Sequence, residues 1–332
     1  MWWLSLSGCV HVLGPTLVPD AVVPVTTADG WSLELRRYPA DGPAVLLVHG
    51  MGASHYNWDY REEVSLAWWL QQRGWDVWVP SLRGDPGTTP PDALSARAYR
   101  FDDFAVHDLP AIVDVVLAET GQDDLMWVGH SMGGMLLYTA LRDYPAKVRA
   151  GVAIASPGVF DDPAAGAGLV RLSRPLIGGD RRVPAAAIGA ASSRLGRLNP
   201  LVGRVGNPDN LDPGVVNGMA REAMVPISLG MGRQVVDWLR AGELVTVDGA
   251  PWLVETDRPV LLMGGAKDRI VASADVAATC ARLGPTCTFV SLAQADGAST
   301  DYGHIDPVVG VTAAEEVYPM VEQFLVAHRA AP

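Results

Sequence analysis

A serine stands in a sequence pattern that would make it a nucleophile. Gly129-His130-Ser131-Met132-Gly133 has the form Gly-x-Ser-x-Gly, and it lies between an apolar, strand-like run and a segment that resembles a helix. At such a junction the chain turns so tightly that only glycine fits on both sides, which pushes the side chain of Ser131 above the sheet. The pentapeptide alone also arises by chance in a glycine-rich chain, where it caps a helix. Its position directly after a strand favours the nucleophile.

A serine hydroxyl is a poor nucleophile at neutral pH and needs a histidine base that a carboxylate orients. His304 lies in a polar loop after one predicted strand, and Asp268 follows the strand before it. The order serine, acid, histidine is expected when each residue follows a strand of this architecture. We therefore predict His304 as the base and Asp268 as the acid. Other aspartates close enough in sequence to take the acid's place are Asp275, Asp296 and Asp301.

The same chemistry needs N–H donors for the negative charge that develops on a carbonyl oxygen. One donor is expected in the loop His49-Gly50-Met51-Gly52, and we assign it to the backbone of Met51. The second is the backbone N–H of Met132, at the start of a helix, where the helix dipole favours negative charge. The set predicts acyl transfer through a serine intermediate, with no metal and no cofactor.

These residues need a scaffold, and short apolar runs alternate with helical segments along the chain. Continuous apolar runs separated by helices are typical of a parallel sheet covered on both faces. The predicted fold class is therefore α/β, with a mostly parallel central sheet flanked by helices. Strands are predicted at 22–25, 33–38, 44–48, 76–79, 125–129, 148–154, 259–263 and 288–292, and helices at 65–73, 104–120, 133–144, 272–283 and 313–328.

The chain changes character between residues 156 and 256, where glycine, proline, alanine and arginine are frequent and strand-like runs are few. A break of this length between two sheet strands predicts an inserted, mainly helical cap, with a helix near 230–241. The core is then formed by 21–155 and 257–332, after a leader and tether at 1–20. The methionines of the cap are either packing residues or the lining of an apolar pocket.

Charge and hydropathy exclude two classes of protein. The chain has 332 residues, with 25 Lys and Arg against 37 Asp and Glu, so its formal net charge is −12. Such an acidic chain lacks an electrostatic basis for binding nucleic acid. No apolar run approaches the roughly 20 residues of a membrane-spanning helix.

The three cysteines bear on the location of the protein. The stretch Leu6-Ser7-Gly8-Cys9 resembles a bacterial lipobox, in which Cys9 would be lipidated; the alternative is a chance match, since the usual positively charged region is missing. With a lipidated Cys9 the protein is expected at the cell envelope, tethered to the membrane, and otherwise in the cytoplasm. Cys280 and Cys287 are then either a disulfide in an oxidising compartment or two buried thiols.

Several further stretches resemble one known family. They are His49-Gly50-Met51-Gly52-Ala53-Ser54 with Asn57-Trp58, Ser65-Leu66-Ala67 with Gly74-Trp75-Asp76-Val77-Trp78 and Arg83-Gly84, Phe101-Asp102 with Asp108-Leu109-Pro110-Ala111-Ile112 and Thr120-Gly121-Gln122, and Tyr302-Gly303-His304-Ile305-Asp306. On these motifs the chain resembles the α/β-hydrolase superfamily and, within it, the acid-lipase-like branch of gastric and lysosomal lipases and their bacterial relatives. The similarity covers the core and hardly the cap. Met132 and Gly134 occupy positions where lipases of that branch tend to have Gln and Thr. This difference bears on which substrates the protein accepts.

The resemblance and the site residues together imply a serine hydrolase of carboxylic esters with an apolar acyl group, acting on a small-molecule or lipid ester. One alternative is acyl transfer to a lipid or polyester acceptor, although the nearest relatives in that chemistry use cysteine as nucleophile. Another is a non-catalytic lipid-binding envelope protein on the same scaffold, against which the complete set of Ser131, Asp268 and His304 argues. The acyl length and the oligomeric state stay open.

Overall fold

The computed structural model describes residues 12–161, 185–193 and 202–329. Its centre is an eight-stranded sheet formed by β1 (Ala21–Thr26), β2 (Ser32–Tyr38), β3 (Ala44–Val48), β4 (Asp76–Ser81), β5 (Leu125–His130), β6 (Val148–Ile154), β7 (Val260–Gly265) and β8 (Cys287–Leu292). The spatial order is β1-β2-β4-β3-β5-β6-β7-β8. β2 runs antiparallel to both of its neighbours, and every pairing from β4 to β8 is parallel. The predicted fold class is therefore confirmed.

Burial explains why the central strands have no polar face. Every residue of β3, β4, β5 and β7 is buried, as expected for a parallel sheet with helices on both sides. Alternate residues of β3 enter two separate hydrophobic clusters: Leu46 and Val48 belong to one, and Val45 and Leu47 to the other. This alternation follows from the two-residue repeat of a strand. β1, at the edge, is mostly exposed.

Helices cover the two faces. They are α1 (Tyr56–Asp59), α2 (Leu66–Gln71), α3 (Ser95–Ala98), α4 (Phe101–Asp103), α5 (Leu109–Thr120), α6 (Met132–Asp143), α7 (Ala185–Ser193), α8 (Val202–Val205), α9 (Pro213–Glu222), α10 (Leu229–Ala241), α11 (Ser273–Leu283), α12 (Asp306–Val309) and α13 (Ala313–His328). The helix predicted at 104–120 begins as a π-helical turn, Phe104–Asp108, which leads into α5. α2 and α13 contribute to the cluster that contains Val45, whereas α5, α6 and α11 contribute to the other.

The segment between β6 and β7 carries α7 to α10 in its described part. α10 lies where a helix is predicted; the hydroxyl of Ser228 accepts the Met231 N–H at its start, and Gly242, with φ 75°, ends it. Val235 and Trp238 of α10 belong to the same hydrophobic cluster as Leu136 of α6. This segment therefore shares the core of the sheet. The boundaries 156–256 of the cap remain a prediction.

The structure describes two of the three cysteines. Cys280 of α11 and Cys287 of β8 form a disulfide, one of the two states left open by the sequence. Cys9 lies outside the described residues, which begin at residue 12. Among the described helices, none is both long and apolar enough to cross a membrane.

Candidate active site

Ser131 occupies the sharp turn between β5 and α6. Its backbone lies at φ 52° and ψ −118°, a region that a residue with a side chain adopts only when its surroundings force it there. The flanking glycines show what forces it. A Cβ atom on Gly129 would lie 2.2 Å from the backbone of Gly133, and one on Gly133 would lie 2.0 Å from the carbonyl oxygen of Val48. The Gly-x-Ser-x-Gly pattern is therefore required by close backbone packing.

His304 and Asp268 meet at the ends of two neighbouring strands. His304 is buried, and its Nδ1 lies 2.7 Å from Asp268 Oδ2. The other carboxylate oxygen, Asp268 Oδ1, accepts the backbone N–H groups of Ile270 at 2.8 Å and Val271 at 2.9 Å. Because the carboxylate is held on both oxygens, it holds the imidazole ring in one orientation and leaves Nε2 for another partner.

The alternative aspartates are engaged elsewhere or lie apart from this pair. Asp275 Oδ1 accepts the backbone N–H of Asp161 at 3.1 Å, and Asp301 Oδ1 accepts that of Gln294 at 2.9 Å. Asp296 lies in an exposed 3₁₀ turn. Of the four aspartates considered, Asp268 is the one that the fold brings to His304.

Asp306 holds the loop that carries His304. This buried carboxylate accepts the backbone N–H of Gly303 at 2.9 Å and that of Asn207 at 3.1 Å. It also accepts the side-chain amide of Asn210 at 3.3 Å. Burial raises the pKa of Asp306 above its usual value, and these N–H donors offset part of that rise. The histidine loop is thus fastened to the segment between β6 and β7.

Ser131 Oγ and His304 make no hydrogen bond with each other among the described residues. Catalytic hydrogen bonds of this kind are often long in a free enzyme and tighten when substrate binds. Ser131 is partly exposed, whereas the rest of the α6 N-terminus is buried. The serine is therefore open to a ligand from the solvent side.

The two residues assigned as oxyanion donors line one cleft. Met51 and Met132 both border it. In the described part of the chain, neither backbone N–H donates a hydrogen bond to a protein acceptor. The N–H of Met132 is one of the first in α6 and has no partner within the helix. Two unpaired donors beside Ser131 suit a negatively charged oxygen.

The cleft is apolar on the side formed by the segment between β6 and β7. Its empty space is about 290 Å³, including the part open to solvent. The apolar wall comes from Val225, Ile227 and Met231. Met231 therefore lines a pocket. Trp238 is instead a packing residue, whose ring lies edge-on to the ring of Phe101, with 5.0 Å between the centroids.

His49 anchors the loop that precedes Met51. This buried histidine has its Nε2 2.8 Å from Asp85 Oδ2, and its Nδ1 lies 3.0 Å from the carbonyl oxygen of Gly50. Burial would lower the pKa of His49, but the nearby Asp85 carboxylate raises it above the usual value. The Asp85 carboxylate and the Gly50 carbonyl oxygen thus hold the ring in place.

His130 has a position that sequence reasoning missed. Its Nε2 donates to the carbonyl oxygen of His304 at 2.9 Å, and its Nδ1 lies 3.0 Å from Asn57 Oδ1. Burial, and next the neighbouring His304, lower the pKa of His130 to about 3. Its place next to Ser131 in the sequence was the one available signal. The partners themselves come from remote parts of the chain.

Within the described residues, no group of three or more His, Cys, Asp and Glu side chains could hold a metal ion. The arrangement provides a serine, a histidine paired with a carboxylate, and unpaired N–H donors. These are the groups that acyl transfer through a serine requires.

Known proteins show related sequences over part of the chain. Over 146 residues the chain is 35% identical to gastric triacylglycerol lipase of Homo sapiens, a match that covers 40% of this chain and 37% of the lipase. The chain spans less than half the length of this lipase and of other curated relatives that it matches.

Solved structures resemble it over nearly the whole chain. A thermophilic esterase from Thermogutta terrifontis is 20% identical with a TM-score of 0.64, over 94% of this chain and 100% of that one. An epoxide hydrolase from Vigna radiata is 19% identical with a TM-score of 0.61, over 92% and 98%. At these identities the similarity shows the fold, which hosts more than one reaction. Residues 43–309 match the alpha/beta hydrolase fold family, and the chain therefore belongs to that family.

Proposed function

We propose that the protein is a serine hydrolase of carboxylic esters. His304 Nε2 takes the proton of Ser131 as Oγ attacks the ester carbonyl carbon, and Asp268 stabilises the imidazolium that forms. The backbone N–H groups of Met51 and Met132 hold the oxyanion. The alcohol leaves with the proton from His304, and water then attacks the acyl-enzyme by the same route and releases the acid.

The observation that carries this proposal is the pairing of His304 with Asp268 at 2.7 Å, with the His304 ring beside His130, the residue that precedes Ser131 in its forced turn. A histidine oriented by a fixed carboxylate is what turns a serine into a nucleophile. The match to a gastric triacylglycerol lipase supports an ester as the substrate.

We place the acyl group in the cleft beside Met51 and Met132, against Val225, Ile227 and Met231. Ser131 adjoins this cleft through Met132, its neighbour in the chain. The cleft is open to solvent, so its volume sets no limit on the length of the acyl chain.

The alternatives make different demands on the same residues. A lipid carrier needs the cleft but not an activated serine, whereas a hydrolase or an acyltransferase needs both. Covalent labelling of Ser131 by a fluorophosphonate separates the carrier from the other two, because this reagent reacts with an activated serine. Release of free acid in water, without an added alcohol, then separates hydrolysis from obligatory acyl transfer.

The tether is a separate proposal. We infer that Cys9 is lipidated, and the disulfide between Cys280 and Cys287 supports the oxidising compartment that this requires. Mass spectrometry of the mature protein from its host tests this. A diacylated Cys9 at the new N-terminus is expected, and an intact, unlipidated Met1 would overturn the idea.

The decisive experiment measures hydrolysis of p-nitrophenyl esters from acetate to palmitate. Ser131→Ala should lower kcat by roughly 10⁴-fold or more, because the nucleophile is lost. Ser299→Ala is the matched control, since Ser299 is an exposed loop serine, and it should retain wild-type rates. Equal activity of Ser131→Ala and the wild type would refute the mechanism. The optimum within this series gives the acyl length that the site prefers.

A further inference from the structure

His130 lies where three loops of the site meet. It is the last residue of β5 and directly precedes Ser131. Only 3% of its surface is exposed. A Cβ atom on Gly50 would lie 3.2 Å from His130 Nδ1 and 3.2 Å from Ser131 Cβ, which shows how closely the loop before Met51 approaches both residues.

One hydrogen bond and one close contact connect His130 to the other two loops. On one side its Nε2 donates to the backbone carbonyl of His304 at 2.9 Å. On the other side its Nδ1 faces Asn57 Oδ1 at 3.0 Å, and this oxygen also accepts the backbone N–H of Gly50 at 3.2 Å. One chain of contacts thus runs from the oxyanion loop through Asn57 and His130 to the loop of the base.

The charge state of His130 matters because its ring lies 4.9 Å from the ring of His304, centroid to centroid. His304 gains a proton when Ser131 is activated, and a second positive ring beside it would oppose that step. Burial keeps His130 neutral. A carbonyl oxygen can only accept, so the single hydrogen of the neutral ring is on Nε2. Asn57 Oδ1 keeps the Gly50 N–H as its donor, so its approach to the unprotonated Nδ1 is a close contact and not a hydrogen bond.

We propose that His130 is a positioning residue, which sets the place of the His304 backbone relative to the oxyanion loop through its Nε2–H and through its close packing against Asn57 and Gly50. This rests on the proposed esterase function. His130 touches neither the substrate nor the reacting atoms in this scheme. Its contribution is the alignment of Ser131, His304 and the oxyanion donors, for which small displacements are costly.

Two amide substitutions test the two ring nitrogens of His130 separately. In His130→Gln the side-chain amide reaches the position of Nε2 and can still donate to the His304 carbonyl, whereas in His130→Asn it reaches only the position of Nδ1. We expect His130→Asn to lower kcat by about 10- to 100-fold with little change in KM. His130→Gln should recover most of that loss, and fluorophosphonate labelling of Ser131 should follow the same order. Melting temperatures show whether each variant is folded.

Equal losses of kcat in the two folded variants, or no loss in either, would overturn the proposal. If both variants fail to fold, a measurement on the wild type still tests the proposal. In ¹⁵N-histidine-labelled protein at neutral pH, the ring of His130, assigned through its backbone connectivity, should show a hydrogen-bonded, slowly exchanging Nε2–H and an unprotonated Nδ1. A doubly protonated ring there would contradict the neutral state.

The two proposals fail in distinguishable ways. If the ester hydrolase function is wrong, wild type and every His130 variant alike fail to hydrolyse esters in water. If only the role of His130 is wrong, the wild type is active and Gln does not recover what Asn loses.

Discussion

Two stretches of the segment between β6 and β7 contact the site in different ways. We call residues 205–212 the clamp stretch and residues 224–231 the cleft stretch. The clamp stretch makes directional, polar contacts with the histidine loop: Ile305 donates its N–H to the Val205 carbonyl at 2.9 Å, and Asn207 donates to Asp306 at 3.1 Å. The cleft stretch offers apolar side chains, among them Val225 and Ile227, to the space beside Met51.

One insertion thus makes two kinds of contact with the site. The clamp stretch positions the histidine loop, and the cleft stretch borders the space proposed for the acyl group. A buried carboxylate such as Asp306 needs each of its N–H partners, because an unpaired buried polar group is costly. An apolar wall tolerates other side chains of similar volume. We therefore expect changes in the clamp stretch and its partner to affect stability and turnover, and changes in the cleft stretch to affect which ester is cleaved.

The largest effect is expected from Asp306→Ala. This change leaves the N–H groups of Gly303 and Asn207 and the Asn210 amide without their acceptor, which should lower the free energy of unfolding by about 2–4 kcal/mol. Because Gly303 adjoins His304, kcat should also fall by about 10- to 100-fold. Urea denaturation and ester hydrolysis measure the two effects. Asp296→Ala, in an exposed turn, is the control and should change the unfolding free energy by no more than about 0.5 kcal/mol. Wild-type kcat in Asp306→Ala would contradict the positioning role.

A smaller loss of stability is expected from Ile227→Ala. The side chain is buried but borders the open cleft, so its removal enlarges a space that already exists, and the loss should be at most about 2 kcal/mol. The preferred ester should become longer, with a lower KM for longer esters and a similar kcat for short ones. Ile188→Ala serves as control, since Ile188 is 46% exposed on α7. An unchanged chain-length profile would show that this wall does not select the acyl group.

The smallest effect concerns pH. The Asp306 carboxyl ionises at about 3.9 in an unfolded chain, and burial raises its pKa in the folded protein. Between these two pKa values the folded state holds more of the proton, so this group makes the protein less stable as the pH rises through that window. The slope is at most about 1.4 kcal/mol per pH unit.

This slope is measured as the difference in unfolding free energy between wild type and Asp306→Asn, which cannot titrate at that position. The difference should decline with rising pH above about 3.9. Ile227→Ala should run parallel to the wild type over the same range, because no titrating group is changed. A constant difference between wild type and Asp306→Asn would mean that the pKa of Asp306 is not raised.

Features that depend on neighbouring residues were predictable from the sequence. The eight predicted strands are present, each within two residues of its expected ends. Those in the buried parallel part read as continuous apolar runs. The turn at Ser131 was also predictable from nearby residues, because Gly129 is required by backbone atoms that meet it within one tight turn.

Other features depend on residues that are distant in the chain. The choice of Asp268 among four aspartates is made by a hydrogen bond that spans 36 residues, and the contact of His130 with the His304 carbonyl spans 174. The clamp stretch meets Asp306 from about 100 residues away (96 and 99 positions for its two asparagines). A local sequence pattern predicts backbone geometry and burial, because both are set by the residue types within a few positions. The pairing of side chains across loops depends on how separate elements pack together, and no local pattern contains that information.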